Sequence, residues 1–229
     1  MVAKARLESE SAEMALKECL DSEMLVALEG PVTSTLSENL VIPAPHWENL
    51  RNSILTAIDS YHKALPLKRG IPREELKSRL KLSPRVLNAA LKRLDLQDGG
   101  AWLALPGHEI RFSAAQQAKI DSLLKKFAAA PFSPPSMKES QAEVGEDVFA
   151  ALVELGQFVV VSPEVVFRRE DYESMVTKVR TAISEKGQVT AAEVRDLFGT
   201  SRKYALALLE HLDAIGVTIR DGDFRRLKK

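Results

Sequence analysis

The chain has 229 residues, 45% of them hydrophobic, with 32 Lys and Arg balanced by 32 Asp and Glu. This composition is that of a globular protein, and without net positive charge any contact with a polyanion must come from local asymmetry. The single cysteine, Cys19, excludes a disulfide framework and Cys-based zinc modules, no apolar run nears the roughly 18 residues of a membrane helix, and 6% aromatics are too few for a single-strand stacking platform.

In chain order, residues 3–20 read as a helix with a loose apolar face of Met14, Leu16, Cys19 and Leu20. Their mix of charged and apolar groups is unlike a signal peptide, so the expected compartment is the cytoplasm. Strand-like stretches at residues 24–28 and 39–42 flank a turn at Gly30-Pro31. One helix and a hairpin cannot bury a core alone, so this segment either packs on the next part of the chain or begins inside a domain. Residues 46–62 form a second helix, with Leu50, Ile54, Leu55, Ile58 and Tyr61 at three- and four-residue spacing. Gly70-Ile71-Pro72 opens a short helix over 72–80. Ser83-Pro84 starts another, whose apolar stripe is Leu87, Ala90, Leu91 and Leu94. Gly99-Gly100 turns into a strand at 101–105, and a last strand is expected at 109–112.

The order helix, short helix, helix, hairpin then recurs. Residues 114–128, 134–144 and 146–155 are helical, and 158–161 with 165–167 make a hairpin. A third copy comes next: helices over 169–185, 190–198 and 201–213, with Thr190 and Glu193 as a capping box, Gly199 ending the short helix and Thr200 capping the next. Residues 217–220 and 223–227 flank Asp221-Gly222, a two-residue hairpin signal. Three helices and a two-stranded wing make a winged helix, whose third helix is presented to nucleic acid. The expected fold is therefore mainly α with small β-hairpins, tandem winged-helix domains in an elongated arrangement. The expected divisions are 1–44 (last helix and wing of a partial copy), 45–112, 113–168 and 169–229, the last self-contained and the nucleic-acid reader.

Charge singles out that last copy. Residues 168–229 carry thirteen Lys and Arg against ten Asp and Glu, while the preceding 167 carry nineteen against twenty-two. Its third helix opens with Ser201-Arg202-Lys203, and its wing and tail hold Arg220, Arg225, Arg226, Lys228 and Lys229. The equivalent helix of the preceding copy opens with Glu146-Asp147, which repel a phosphate.

Residues 199–227, GTSRKYALALLEHLDAIGVTIRDGDFRRL, with Arg195-Asp196 before them, resemble the C-terminal end of the bacterial selenocysteine-specific elongation factor family, SelB. The 65–80 stretch with its Gly-Ile-Pro and residues 132–135 are also like the family's. The resemblance implies four winged-helix domains behind a GTP-binding half, the last of them binding a hairpin (SECIS) in selenoprotein mRNA. The chain holds no G-x-x-x-x-G-K-[ST] loop, so the implied part is a C-terminal fragment without the GTPase domain: no enzyme, no cofactor, a monomer with the mRNA hairpin as partner and the ribosome reached through the full-length factor, away from any membrane. The family's RNA contacts fall here on Arg195, Ser201, Arg202, Lys203, Arg220, Gly222, Arg225 and Arg226, with a small base pocket implied near Arg195 and Gly222.

Physical chemistry makes the assignment reasonable. A helix N-terminus offers free N–H groups and a positive dipole end to phosphate, and Arg adds a planar fork. An RNA duplex hides its base edges in a deep, narrow groove, so readout favours a bulged or looped base. Arg202 is the expected phosphate contact and Arg195 the expected base contact. Plainer readings stand beside these. Arg195-Asp196 is also an ordinary exposed helix end, Lys203 a solvated side chain, and Tyr204 a packing residue. A loop at Asp221-Gly222 would set Arg220 opposite Asp223 as a surface pair, and Arg225 and Arg226 must point to opposite strand faces.

No catalytic constellation is present in the sequence. His46, His62, His108 and His211 lack metal-ligand spacing, Cys19 has no activating partner, and Trp47 and Trp102 read as packing residues. The alternatives to RNA binding are a DNA-binding tandem winged-helix regulator and a protein-interaction scaffold.

Overall fold

The computed structural model describes residues 9–29 and 40–228. The expected helix start at Ala3, the Gly30-Pro31 turn, the first residue of the second strand (Asn39) and Lys229 lie outside the described residues. The chain divides into two compact units, residues 1–110 and 111–229.

The first unit runs α1 (Ser9–Asp21), β1 (Leu25–Ala27), β2 (Val41–Pro43), α2 (Ala44–Ala64), β3 (Ile71–Pro72), α3 (Arg73–Leu80), α4 (Pro84–Leu91), β4 (Gln97–Asp98) and β5 (Trp102–Ala104). Proline sets two of the starts: Pro43 precedes α2, which has Pro45 in its first turn, and Pro84 opens α4, positions where a missing N–H costs nothing. The Ser83 hydroxyl caps α4 by accepting from the Val86 N–H at 3.3 Å. Ile54, Ile58, Tyr61, Ile71, Leu76, Leu87, Ala90 and Leu103 form the core, and Leu28 and Trp47 join it. The leading hairpin, β1 antiparallel to β2, thus buries its apolar face on the adjoining winged helix.

Two expectations need correction here. Ile71-Pro72 is a strand as well as a helix entry: β3 pairs with β5, Ile71 opposite Leu103, in a sheet of order β3-β5-β4. Two residues carry no readable alternation, and Pro is tolerated because this is an edge strand. Residues 109–112 are not a strand, because β3 and β4 already occupy both edges of β5. Gly70 lies so close to β5 that a Cβ there would overlap the Leu103 carbonyl. Gly70→Ala should therefore lower unfolding stability by about 1–3 kcal/mol, read from the urea midpoint of the first unit; an unchanged midpoint would show that the strand yields freely.

The first unit also stacks two histidines, with ring centroids 3.6 Å apart and 7° between planes. His108 Nε2 donates to the Lys68 carbonyl at 2.9 Å, whereas His62 Nε2 is buried without a partner. Burial first, then the neighbouring His108, holds the His62 pKa below its ordinary value. A histidine with a lowered folded-state pKa stays neutral in both states above about pH 6.5 and costs stability as the pH falls below that. We expect the first unit to lose stability from pH 7 to pH 5 and His62→Gln to flatten that slope in urea titrations at each pH.

The second unit runs α5 (Ala114–Ala129), α6 (Met137–Val144), α7 (Glu146–Glu154), β6 (Phe158–Val160), β7 (Val166–Arg168), α8 (Arg169–Lys186), β8 (Val189–Thr190), α9 (Ala191–Phe198), α10 (Arg202–Ala214), β9 (Thr218–Asp221) and β10 (Phe224–Leu227). Capping boxes start α5 (Ser113 with Gln116), α6 (Ser136 with Glu139) and α9 (Thr190 with Glu193, as expected). Around α5–α7 the buried side chains include Ile120, Leu123, Phe127, Phe149, Leu152 and Phe158, with the Phe127 and Phe158 rings 4.7 Å apart. The core of the last winged helix, built on Met175, Val179, Ile183, Val194, Leu208, Leu209 and Leu212, is continuous with Val161, Val165 and Phe167 of the β6–β7 hairpin. Its sheet has the order β8-β10-β9, the same plan as β3-β5-β4.

Candidate nucleic-acid interface

The wing of the last winged helix is shifted by one residue from the expected register. Phe224 faces Asp221 and Arg225 faces Arg220, so the two-residue loop is Gly222-Asp223 and not Asp221-Gly222. Gly222 has φ +60° and takes the first loop position, where a II′ turn demands glycine. The Arg220–Asp223 pairing therefore does not form; Arg220 Nε donates instead to the Gly222 carbonyl at 3.0 Å.

Alternation along β10 sends the two adjacent arginines to opposite faces. Arg225 is 2% exposed and its Nε donates to Asp213 Oδ2 at 3.1 Å, while the Thr218 hydroxyl donates to Oδ1 of the same carboxylate at 2.6 Å. Its proposed RNA contact is thus corrected: the guanidinium faces inward, where it ties β10 to the end of α10. Arg226 points out, within 3.2 Å of Gln188 Oε1 and of Asp221 Oδ2.

The N-terminal turn of α10 is also placed differently from the sequence expectation. Ser201, and not Thr200, is its N-cap, and the Ser201 side chain makes no capping bond. Thr200 instead donates its hydroxyl to the Phe132 carbonyl and lies 2.9 Å from Ser133 Oγ. Tyr204 donates to the Pro134 carbonyl at 2.7 Å, which fixes it as a packing residue. Phe132 packs on Phe198 with centroids 5.0 Å apart, and the Lys178 ammonium lies 5.4 Å from the Phe132 ring centroid. Lys203 pairs with Glu164 Oε2 at 2.6 Å; that contact holds the Glu164 carboxyl below its ordinary pKa and raises the Lys203 ammonium. One side of the helix N-terminus therefore rests on the segment 132–134 and on Glu164.

Arg202 is exposed and its side chain makes no ion pair or hydrogen bond among the described residues. Arg195, in the last turn of α9, is exposed and pairs with its neighbour Asp196 at 2.6 Å, a contact worth little in water. The solvent-facing cationic set is thus Arg195, Arg202, Arg220 and Arg226, with Gly222 at the wing tip and Ser201 beside Arg202. Phe224 and Ile219 are exposed on the same wing, an apolar element without a signal in the sequence, because the facing of a strand residue is not readable without the register. Among the described residues, no group of three or more His, Cys, Asp or Glu side chains is placed to hold a metal, and no helix is long and apolar enough to cross a membrane.

The buried pair yields a direct test. Arg225→Ala leaves the Asp213 carboxylate facing a void, and the expected loss is roughly 2–3 kcal/mol, less than for a fully buried pair because Asp213 keeps some solvent. Arg225→Met with Asp213→Leu should recover part of it in urea unfolding; a stability loss under about 0.5 kcal/mol for Arg225→Ala would assign the residue to the surface.

Comparison with known proteins places this geometry. Residues 181–227 and residues 55–105 each match a family model described as elongation factor SelB, winged helix. The selenocysteine-specific elongation factor of Desulfomicrobium baculatum is 27% identical over 195 residues, 80% of this chain and 31% of the relative. That of Escherichia coli (strain K12) is 26% identical over 203 residues, 82% of this chain and 32% of the relative. The chain thus spans about a third of the length of these relatives. Among solved structures, the mRNA-binding domain of E. coli SelB in complex with SECIS RNA is similar with a TM-score of 0.42 at 26% identity, covering 52% of this chain and all of that one. A bacterial selenocysteine-specific elongation factor EF-Sec gives 0.48 at 17%, covering 84% of this chain and 31% of that one. The family models fall on the two three-stranded modules, one containing α3, α4 and β3-β5-β4, the other α9, α10 and the wing, and these two modules are winged helices of the SelB type.

Proposed function

We propose that this chain is the mRNA-hairpin-binding portion of a selenocysteine-specific translation elongation factor, acting in the cytoplasm as a monomer and bringing the full-length factor to selenoprotein mRNA on the ribosome. The observation that carries the reading is the coincidence, in residues 181–227, of the SelB winged-helix match with an outward-facing set of arginines on α9, α10 and the wing. The portion itself performs no catalysis and needs no cofactor; its work is recognition. Arg202 projects from the first turn of α10, where the helix dipole adds to its charge, and serves a phosphate. Arg195 stands in the last turn of α9, ahead of the turn into α10, and serves a base displaced from the stem.

The two arginines separate in a titration. Arg202→Ala should weaken a bulged hairpin and the same stem without its bulge alike, and should lower the salt slope by about one phosphate. Arg195→Ala should weaken the bulged hairpin more, by roughly 1–3 kcal/mol of discrimination if groove readout is a guide. Equal losses on both RNAs for Arg195→Ala would remove it from base readout, and a wild-type chain that bound neither hairpin above an unrelated duplex would overturn the assignment.

A further inference from the structure

Residues 63–93 hold ten Lys and Arg against two carboxylates, Glu74 and Glu75. This cationic run is denser than that of the C-terminal module, and the charge balance of the first 167 residues conceals it by averaging. Seven of the ten, from Arg73 to Arg93, lie on the helix-turn-helix of the first unit or at its ends. On α4, Leu87, Ala89, Ala90 and Leu91 are buried, so Arg85, Asn88 and Lys92, three and seven residues apart, share the exposed face. Lys81 sits in the turn before it, exposed, with φ +52°.

The face is braced. Arg73 donates through Nη1 to Asn88 Oδ1 at 3.1 Å and through Nε to the Gly100 carbonyl at 3.0 Å, and pairs with Asp98. One guanidinium thereby joins α3, α4 and the wing. Local carboxylates neutralise part of the set: Arg85 meets Glu29 at 2.6 Å, Lys77 pairs with Glu74 and Arg79 with Glu75. The side chains of Lys81 and Lys92 make no ion pair or hydrogen bond among the described residues, and Lys92 feels only the field of the Glu29 carboxylate.

We propose that this helix-turn-helix is a second RNA-contacting surface, in which Lys81, Arg85 and Lys92 take phosphates of an RNA duplex. It is separate from the hairpin-reading arginines of the second unit; that the nucleic acid is RNA rests on the proposed function. Arg85 and Lys92 lie about 10 Å apart along the helix, a length over which one strand presents several phosphates. Protein interfaces are anchored by buried aromatic and apolar groups, and the exposed face of α4 offers none. Backbone contacts without apolar anchors suit a ligand whose sequence is read elsewhere.

The test uses the full chain and a fluorescein-labelled RNA duplex of about 20 base pairs with no loop or bulge, long enough for several phosphate contacts, titrated between about 50 and 200 mM salt. Lys81→Asn with Lys92→Gln keeps a residue that accepts the left-handed backbone at position 81. The pair should weaken duplex binding about tenfold at the lower salt and reduce the salt slope by about 1.5, while the ratio of affinities for bulged and unbulged hairpins stays at the wild-type value. Lys81→Arg with Lys92→Arg should bind as the wild type does, which separates lost charge from lost fold. Unchanged duplex affinity and slope in the neutral pair would overturn the proposal, as would an equal loss in the arginine pair. So would displacement of the duplex by polyglutamate from the wild type but not from the neutral pair, which would make the surface a receptor for acidic polypeptide. Failure of Arg195→Ala to alter bulge discrimination would strike the hairpin reading alone.

Discussion

Arg225 and Asp213 meet behind the last sheet, and the facing of the wing's other side chains depends on that contact. A charged group taken out of water needs a partner with good geometry, and here the partner sits near the C-terminal end of α10. With position 225 fixed inward, strand alternation turns Phe224 and Arg226 outward, and antiparallel pairing sets Arg226 against Ile219. The Gly222-Asp223 loop then closes the hairpin. A slip of one residue would bury Arg226 or Phe224 and expose the stem of Arg225, so the ion pair acts on register more than on net stability.

A second constraint acts at the helix that a winged helix normally offers to its ligand. Phe132, Ser133 and Pro134 receive Thr200, Tyr204 and the face of Phe198, and Glu164 receives Lys203. These contacts use one side of the α10 N-terminus and leave Arg202 on the other. Cations adjacent in sequence, Arg202 and Lys203, are thereby sorted into one without a protein partner and one paired to Glu164 at the surface, and Arg226 and Arg225 are sorted more sharply in the wing, one exposed and one buried. Both sortings are geometric consequences of period: about 100° between neighbours on a helix and 180° on a strand.

This sorting also explains what could be read in advance. The long helices and the stripe Ala205, Leu208, Leu209 and Leu212 were legible because burial repeats with the helical period, and all four are buried. The Thr190–Glu193 box was legible; the equivalent patterns at Ser113 and Ser136 carry the same signal and were open to the same argument. The two-residue strands β3 and β8 were not legible, since their only mark is the partner across the sheet. Nor was the inward turn of Arg225, because its partner carboxylate, Asp213, lies on α10 and not across the hairpin. Tertiary contact with Asp213, twelve residues away, outweighed the local Asp-Gly preference. The basic surface of the first unit is hidden for a different reason: the near-neutral balance of the first 167 residues averages it away, while phosphate responds to charge within a Debye length of about 10 Å.

The two three-stranded modules show what one backbone plan leaves free. Each has a short strand entering the helix-turn-helix and pairing with the second wing strand, β3 with β5 and β8 with β10. In the first, the wing is tied to the helix-turn-helix by Arg73 at the start of α3, reaching Asp98 and Asn88. In the second, the tie runs from Arg225 in the wing to Asp213 at the end of α10. Each tie uses up one guanidinium as a strut, at a different level of the third helix. The first module leaves Lys81 before α4 and Lys92 at its end without an ion pair or hydrogen bond among the described residues, and the second leaves Arg202 so. One backbone plan thus leaves different cations exposed in its two copies, because the position of the strut, and not the fold, decides which side chains are tied down.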